Sequence, residues 1–213
     1  MKSNKPNIFL TSDWHDGHES VLSFCNRPFN DLRHMRSSLI KNFNATVPPG
    51  ATTYFLGDVN FGPNDDFRKN VLAKLNPGTK ILIVGNHDKG PYYKGFDAVL
   101  HSAYHRFGVL RFSMSHCPLW GFPREDTTGY KNGDPSENWH GEKRAKYLPF
   151  TMMHVRSDLH FHGHIHSPNG GNSQKIDWRQ YDVGVDANNY RPVNIFKAYA
   201  EWKHFMKNRS IDE

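Results

Sequence analysis

The chain has 213 residues, 37% hydrophobic and 23% charged, and 27 Lys and Arg against 21 Asp and Glu give a net charge of +6. That apolar share can build a core and excludes a disordered chain, while the longest strongly apolar run, Ile81-Leu82-Ile83-Val84, is far short of the roughly 18 residues a membrane helix needs. Two cysteines, Cys25 and Cys117, exclude a disulfide framework, and with no apolar leader near the N-terminus the expected setting is the cytoplasm.

Residues 8–11 read as a buried strand that ends in the polar cluster Ser12-Asp13-Trp14-His15-Asp16-Gly17-His18. Residues 31–43 read as a helix, with Leu32, Met35, Leu39 and Phe43 at intervals of three or four and Asp31 as its cap. A strand over 52–56 stops at Gly57-Asp58, and a helix is expected over 67–75. A further strand over 80–84 stops at Gly85-Asn86-His87-Asp88. Residues 99–104 and 109–114 are strand-like with no helix between them, which predicts antiparallel pairing. Strands over 158–162 and 181–185 run into Gly163-His164-Ile165-His166 and Asp186. A closing helix carries Ile195, Tyr199, Trp202 and Phe205 or Met206 on one face. Strand–helix alternation followed by strands predicts one α/β domain over 1–213, a sandwich with mixed sheets. Residues 121–149, rich in Gly, Pro, Asn, Asp and Glu, are too long for an ordinary connection and read as either a lid or a plain surface insertion.

Several separate strand ends deliver metal-capable side chains, and in open α/β sheets such ends gather ligands. Asp13 and His15 are two apart, as are His164 and His166, and an extended backbone sends alternate side chains to one side. Asp58, Asn86 and His116 follow strands as well. The donors are oxygen and nitrogen only, which favours Mn, Fe, Zn, Ni or Co over Ca or Mg. Seven donors exceed one tetrahedral ion and fit two ions about 3.5–4 Å apart that share a carboxylate. Two divalent ions against two carboxylates leave a positive site, and a phosphate ester is the natural anion for it.

Asp13-Trp14-His15, Gly57-Asp58, Gly85-Asn86-His87-Asp88, His116 and Gly163-His164-Ile165-His166 occur in the order found in the calcineurin-like metallophosphoesterase family, which the chain resembles from about Ile8 to about Pro192. Phe24-Cys25-Asn26-Arg27-Pro28-Phe29 and Val183-Gly184-Val185-Asp186 resemble a small bacterial and phage-type subgroup. The resemblance implies a four-layer α-β-β-α sandwich. It implies one ion on Asp13, His15, Asp58 and His166 and a second on Asp58, Asn86, His116 and His164. His87 would then face the substrate and assist the leaving oxygen, with Asp88 supporting it. The implied activity is hydrolysis of a phosphodiester, with a nucleotide among the candidate substrates. A phosphomonoesterase, a nuclease suited to the basic charge, and a metal-binding scaffold without activity are the alternatives.

Other residues carry plainer readings beside functional ones. Arg27 and His18 are expected either at the substrate or as structural anchors, and Asp186 either behind the site or in a turn. His160 or His162 could approach the site, whereas His34, His101, His105, His154 and His204 are expected on the surface or satisfied in the core. Cys25 and Cys117 are expected to be buried structural thiols.

Overall fold

The computed structural model describes residues 6–88, 93–119, 157–168, 175–177 and 179–209; the segment 121–149 and His154 lie outside them. The chain opens with β1 (Ile8–Thr11), α1 (Ser20–Phe24), α2 (Leu32–Thr46), β2 (Thr52–Phe55), α3 (Asn64–Asn70), β3 (Thr79–Ile83) and β4 (Ala98–Leu100). It continues with β5 (Ser102–Phe107), β6 (Leu110–Ser115), β7 (Leu159–His162), β8 (Ile176–Asp177), β9 (Gln180–Asp182), β10 (Val193–Asn194) and the closing helix α4 (Ile195–Arg209).

Among the described residues two five-stranded sheets form, ordered β10-β1-β2-β3-β4 and β5-β6-β7-β9-β8. In the first, β1 to β4 run parallel and β10 pairs antiparallel with β1. In the second, β6, β7 and β9 run parallel, with antiparallel β5 and β8 at its two edges. Both sheets are therefore mixed, as expected. Strands buried on both faces need no polar alternation, which is why Ile8-Phe9-Leu10-Thr11 reads as one buried run.

Two cores flank the first sheet. On one face, Phe9, Phe55 and Leu82 pack against Met35, Leu39 and Phe43 of α2 and Phe67 of α3, with Trp14 wedged among them 5.6 Å from the Phe55 ring. On the other, Ile8, Leu10, Tyr54 and Ile83 meet Phe112, Met114, Leu159, Phe161 and Tyr181 of the second sheet. Each large side chain buried in this way stabilises the fold by roughly 1.5–3 kcal/mol. Ile195 and Ala198 of α4 enter the same inter-sheet core, with Tyr199, Trp202 and Phe205 packed against it. A helical layer over the outer face of the second sheet is not among the described residues. None of the described helices is long and apolar enough to cross a membrane.

Several boundaries differ from the sequence reading; the strand expected over 181–185, for one, is Gln180–Asp182. The run 99–104 is two strands: β4 completes the first sheet parallel to β3, and the chain turns at His101 to begin the second sheet with β5. The helix expected over 67–75 starts earlier, at Asn64, and breaks at Val71, beyond which Leu72–Lys74 is a 3₁₀ turn. The helix begun by Asp31, whose carboxylate accepts the His34 N–H, runs past Phe43 to Thr46.

Candidate metal centre

The ends of β1, β2, β3, β6 and β7 converge on one point, and the backbone there is unusual. Asp13 (φ 59°), His15 (50°), Asp58 (52°), His164 (70°) and His166 (48°) all adopt left-handed conformations. For a residue with a Cβ each such turn costs on the order of 1–2 kcal/mol and persists only where neighbours hold it. The convergence expected for the Asp13/His15 and His164/His166 pairs from alternation along an extended strand is thus achieved by a different backbone, a left-handed turn at each of these residues. Main-chain bonds lock these turns together: Asp13 N–H donates to Gly57 O at 3.1 Å, His15 N–H to Asp58 O at 2.9 Å and Gly163 N–H to His116 O at 2.9 Å. Gly57, at φ +89°, has no room for a side chain, since a Cβ would stand 2.6 Å from both Gly85 Cα and His116 Nδ1. At Gly163 a Cβ would strike the side chains of Ser12 and Asp13.

All seven expected donors come together. Donor atoms of Asp13, His15 and His166 lie within 4.8 Å of one another, as do those of Asp13, Asp58 and His116. Asp58 Oδ2 stands 3.7 Å from His15 Nε2 on one side and 3.4 Å from His116 Nε2 on the other. His116 Nε2 is also 2.9 Å from Asn86 Oδ1, and the His164 ring lies 5.1 Å from that of His116. Asp58 sits between the two groups, the position a shared carboxylate requires.

The residues fit a pair of cations. His116 Nδ1 is 2.7 Å from Leu56 O and His166 Nδ1 2.7 Å from Asp186 Oδ2, so each ring donates from Nδ1 and turns Nε2 into the cluster. His166 Nε2 then faces His15 Nε2 at 3.2 Å. Burial alone would depress His116, but Asp58, its bond to that carboxylate and Asp13 push it up to about 9. Burial likewise opposes protonation of His166, yet Asp13 and Asp186 push it up to about 11. Burial drives His15 down to about 2 and, together with His116, drives His164 down to about 3, leaving both neutral. Burial raises Asp13 to about 6 against the pull of His166 and His116. The same burial acts on Asp58, but His116 and His15 outweigh it and hold that carboxyl well below the ordinary range.

With His116 and His166 both raised by neighbouring carboxylates, a cation at either Nε2 would compete with a proton. Metal loading at pH 7 is expected to release about two protons per chain, and apparent affinity should fall as pH falls and protons compete. Calorimetric titration of manganese in buffers of different ionisation enthalpy reads that number directly. Loading without proton release would contradict the protonation pattern.

Behind the donors lie residues that hold them. Arg27, considered for substrate contact, is instead buried, its side chain 0% exposed. Its Nε and Nη2 donate to the two Asp186 oxygens at 2.8 Å, Nη2 to Asp13 O at 2.7 Å, and Nη1 to Trp14 O at 3.0 Å and Met35 Sδ at 3.3 Å. All its donor directions are spent inside the protein, so it positions the Asp13 turn and does not reach a substrate. Asp186 is correspondingly more than a turn residue, since it orients His166. The Asp88 carboxylate accepts the N–H groups of Asp58, Val59 and Gly85 at 2.8–3.0 Å, stapling the second strand end to the third.

Cys25, expected to be buried, is half-buried, and its Sγ lies 3.2 Å from His166 Nδ1. Cys117 is buried as expected but close to His116 and His164, and burial with the charges of Asp58 and Asp13 pushes its thiol far up. His160 is a satisfied core residue between Ser113 Oγ at 2.9 Å and Ser115 Oγ at 3.1 Å, and His162 Nδ1 pairs with Gly163 O. His105 bonds the Tyr54 hydroxyl. Residues that the sequence did not single out are Asp16, gripped by both arms of Arg36 at 2.7 and 2.8 Å, and Asp182, which accepts the N–H groups of Ser167 and Gly184. Their partners are 15 or more residues away apart from Gly184, so no local pattern marks them.

His87 is exposed at the mouth, and its main-chain N–H donates to Asp58 Oδ1 at 2.9 Å, tying it to the central carboxylate. His18 is half-exposed there and stacks on Phe61 with ring centroids 4.1 Å apart.

Comparison with known proteins places the same residues in context. The sequence profile described as calcineurin-like phosphoesterase matches residues 6–168. An uncharacterized protein of Methanocaldococcus jannaschii is 34% identical over 193 residues, covering 88% of this chain and 86% of that protein. The gene 66 protein of Mycobacterium phage L5 is 29% identical over 196 residues, covering 85% and 87%. A crystal structure of a protein of unknown function from Aquifex aeolicus superposes with a TM-score of 0.63 at 24% identity, over 91% of this chain and 97% of that one, and shares the fold.

Proposed function

Since the chain belongs to the calcineurin-like phosphoesterase family and is a metal-dependent phosphoester hydrolase, we propose that it cleaves a phosphodiester, nucleotide-like or otherwise small, with two transition ions, manganese foremost. Asp13, His15, Asp58 and His166 would hold one ion, and Asp58, Asn86, His116 and His164 the other. When bound, such ions supply Lewis acidity that offsets charge developing on phosphoryl oxygens and lower the pKa of water towards neutrality. The observation that carries the reading is the gathering of these donors around Asp58, with His87 tethered to the same carboxylate.

The protein's own part follows from position. The left-handed turns and their main-chain bonds keep the donors preorganised, so little is lost to rearrangement when the substrate's charge builds up. His87, held at Asp58 through its amide, leaves its imidazole exposed to give a proton to the departing oxygen. Preference for a diester over a monoester follows the likeness to the family.

His87→Ala is expected to keep its metal content and to slow hydrolysis of an alkyl phosphodiester about a hundredfold, with a much smaller loss on bis-p-nitrophenyl phosphate, whose leaving group needs no proton. Equal losses on the two substrates would remove the leaving-group role. Manganese-stimulated turnover of bis-p-nitrophenyl phosphate by the unmodified protein supports the diesterase. Turnover confined to p-nitrophenyl phosphate would replace it with a monoesterase, and degradation of DNA at physiological salt with a nuclease.

A further inference from the structure

Phe24 stands 57% exposed at the C-terminal end of α1, the most exposed aromatic side chain among the described core and surface hydrophobics. A single exposed apolar residue needs no explanation, but this one heads a continuous run of rings. Its ring lies 5.8 Å from that of His166, nearly perpendicular at 84°, and 5.7 Å from that of His18. His18 stacks on Phe61 at an interplanar angle of 10°, and Phe61 lies 4.9 Å from His87. The run therefore skirts the donor cluster from His166 to His87. The other exposed large apolar side chains, Val99, Leu100, Tyr104 and Val109, belong to β4 and β5 and the turn that follows.

Phe24 is held from the side by two rings and still presents surface to solvent, beside a cluster suited to a phosphate group. A flat π-system joined to that phosphate through a sugar could lie against it. Stacking of this kind accepts any base, because every base offers a π-face. We infer that Phe24, with His18 and Phe61 behind it, forms a stacking wall for the heteroaromatic base of a nucleotide-type substrate. Phe24 is then a specificity residue for the reaction. This rests on the reading of the cluster as a phosphate-ester site, and deepens it by assigning the base to the Phe24 side.

The test compares adenosine 5′-monophosphate with ribose 5-phosphate, which differ only in the base, by calorimetric affinity for manganese-loaded protein. The wild type is expected to bind the nucleotide about tenfold more tightly than the sugar phosphate. Phe24→Ala should bring the two within twofold of each other while leaving ribose 5-phosphate binding unchanged, and Phe24→Trp should restore the preference. Because Phe24 is exposed, these substitutions leave the core untouched. Equal affinities in the wild type, or a preference that survives Phe24→Ala, would overturn the wall while leaving the phosphate site intact. Binding of neither compound, nor of inorganic phosphate, would overturn the phosphate-site reading together with the wall.

Discussion

Asp58→Asn is expected to lower hydrolysis of bis-p-nitrophenyl phosphate at least about a thousandfold while the protein stays folded. Asparagine matches aspartate in shape, and its amide oxygen can still accept the His87 N–H that Asp58 Oδ1 now accepts. What disappears is the charge. Asp58 Oδ2 lies within 4 Å of both His15 Nε2 and His116 Nε2, where one carboxylate reaches both halves of the cluster. A neutral amide cannot share itself between two cations as a carboxylate can, and losing one Lewis acid removes several kcal/mol of transition-state stabilisation. Steady-state kinetics in saturating manganese, with far-ultraviolet circular dichroism as a check on folding, measures the loss. Activity within tenfold of wild type would show that Asp58 is not the shared ligand.

Arg27→Ala is expected to cost about 3–5 kcal/mol of unfolding free energy, the range for breaking a buried ion pair from one side. The guanidinium is enclosed and bonded to both oxygens of Asp186, which is itself buried, so its removal strands a negative charge. Two further losses add to this. The carbonyls of Asp13 and Trp14 lose their donors, and the left-handed turn at Asp13 loses the contact that holds it. Arg27→Lys should recover only part of the stability, because an ammonium cannot span both carboxylate oxygens and two carbonyls at once. Urea denaturation of the three proteins gives the values. A loss under 1 kcal/mol in Arg27→Ala would mean that the pair is solvated in solution.

The two predictions touch different layers of one design, and those layers differ in how visible they are in the sequence. The donors other than His116 were legible because each sits next to a glycine or in an Asp-x-His or His-x-His pair at the end of an apolar run, and His116 because it follows a strand and the blocks keep a known order. The seven candidate donors could be named from strand ends and spacing, whereas their division between two ions, with Asp58 shared, is what the family resemblance implies. Arg27 and Asp186 lie 159 residues apart, and nothing local to either distinguishes a buried partner from a surface residue. The role of Asp186 emerges only once His166 Nδ1 is seen to bond it.

The same limit applies to the fold. The helix over α2 was legible through its apolar spacing and its aspartate cap. The passage from β4 to β5 was not, since periodicity counts strand residues without saying which sheet they join. The left-handed backbone at Asp13, His15, Asp58, His164 and His166 was hidden for another reason: aspartate and histidine visit that region less readily than glycine, and only tertiary contacts impose it.

Metal content tests the central claim most directly. Protein produced in manganese-replete medium, desalted and measured by inductively coupled plasma mass spectrometry against amino-acid analysis, is predicted to carry close to two transition ions per chain. A ratio near one, or none at all, under those conditions would contradict a centre built around a shared Asp58.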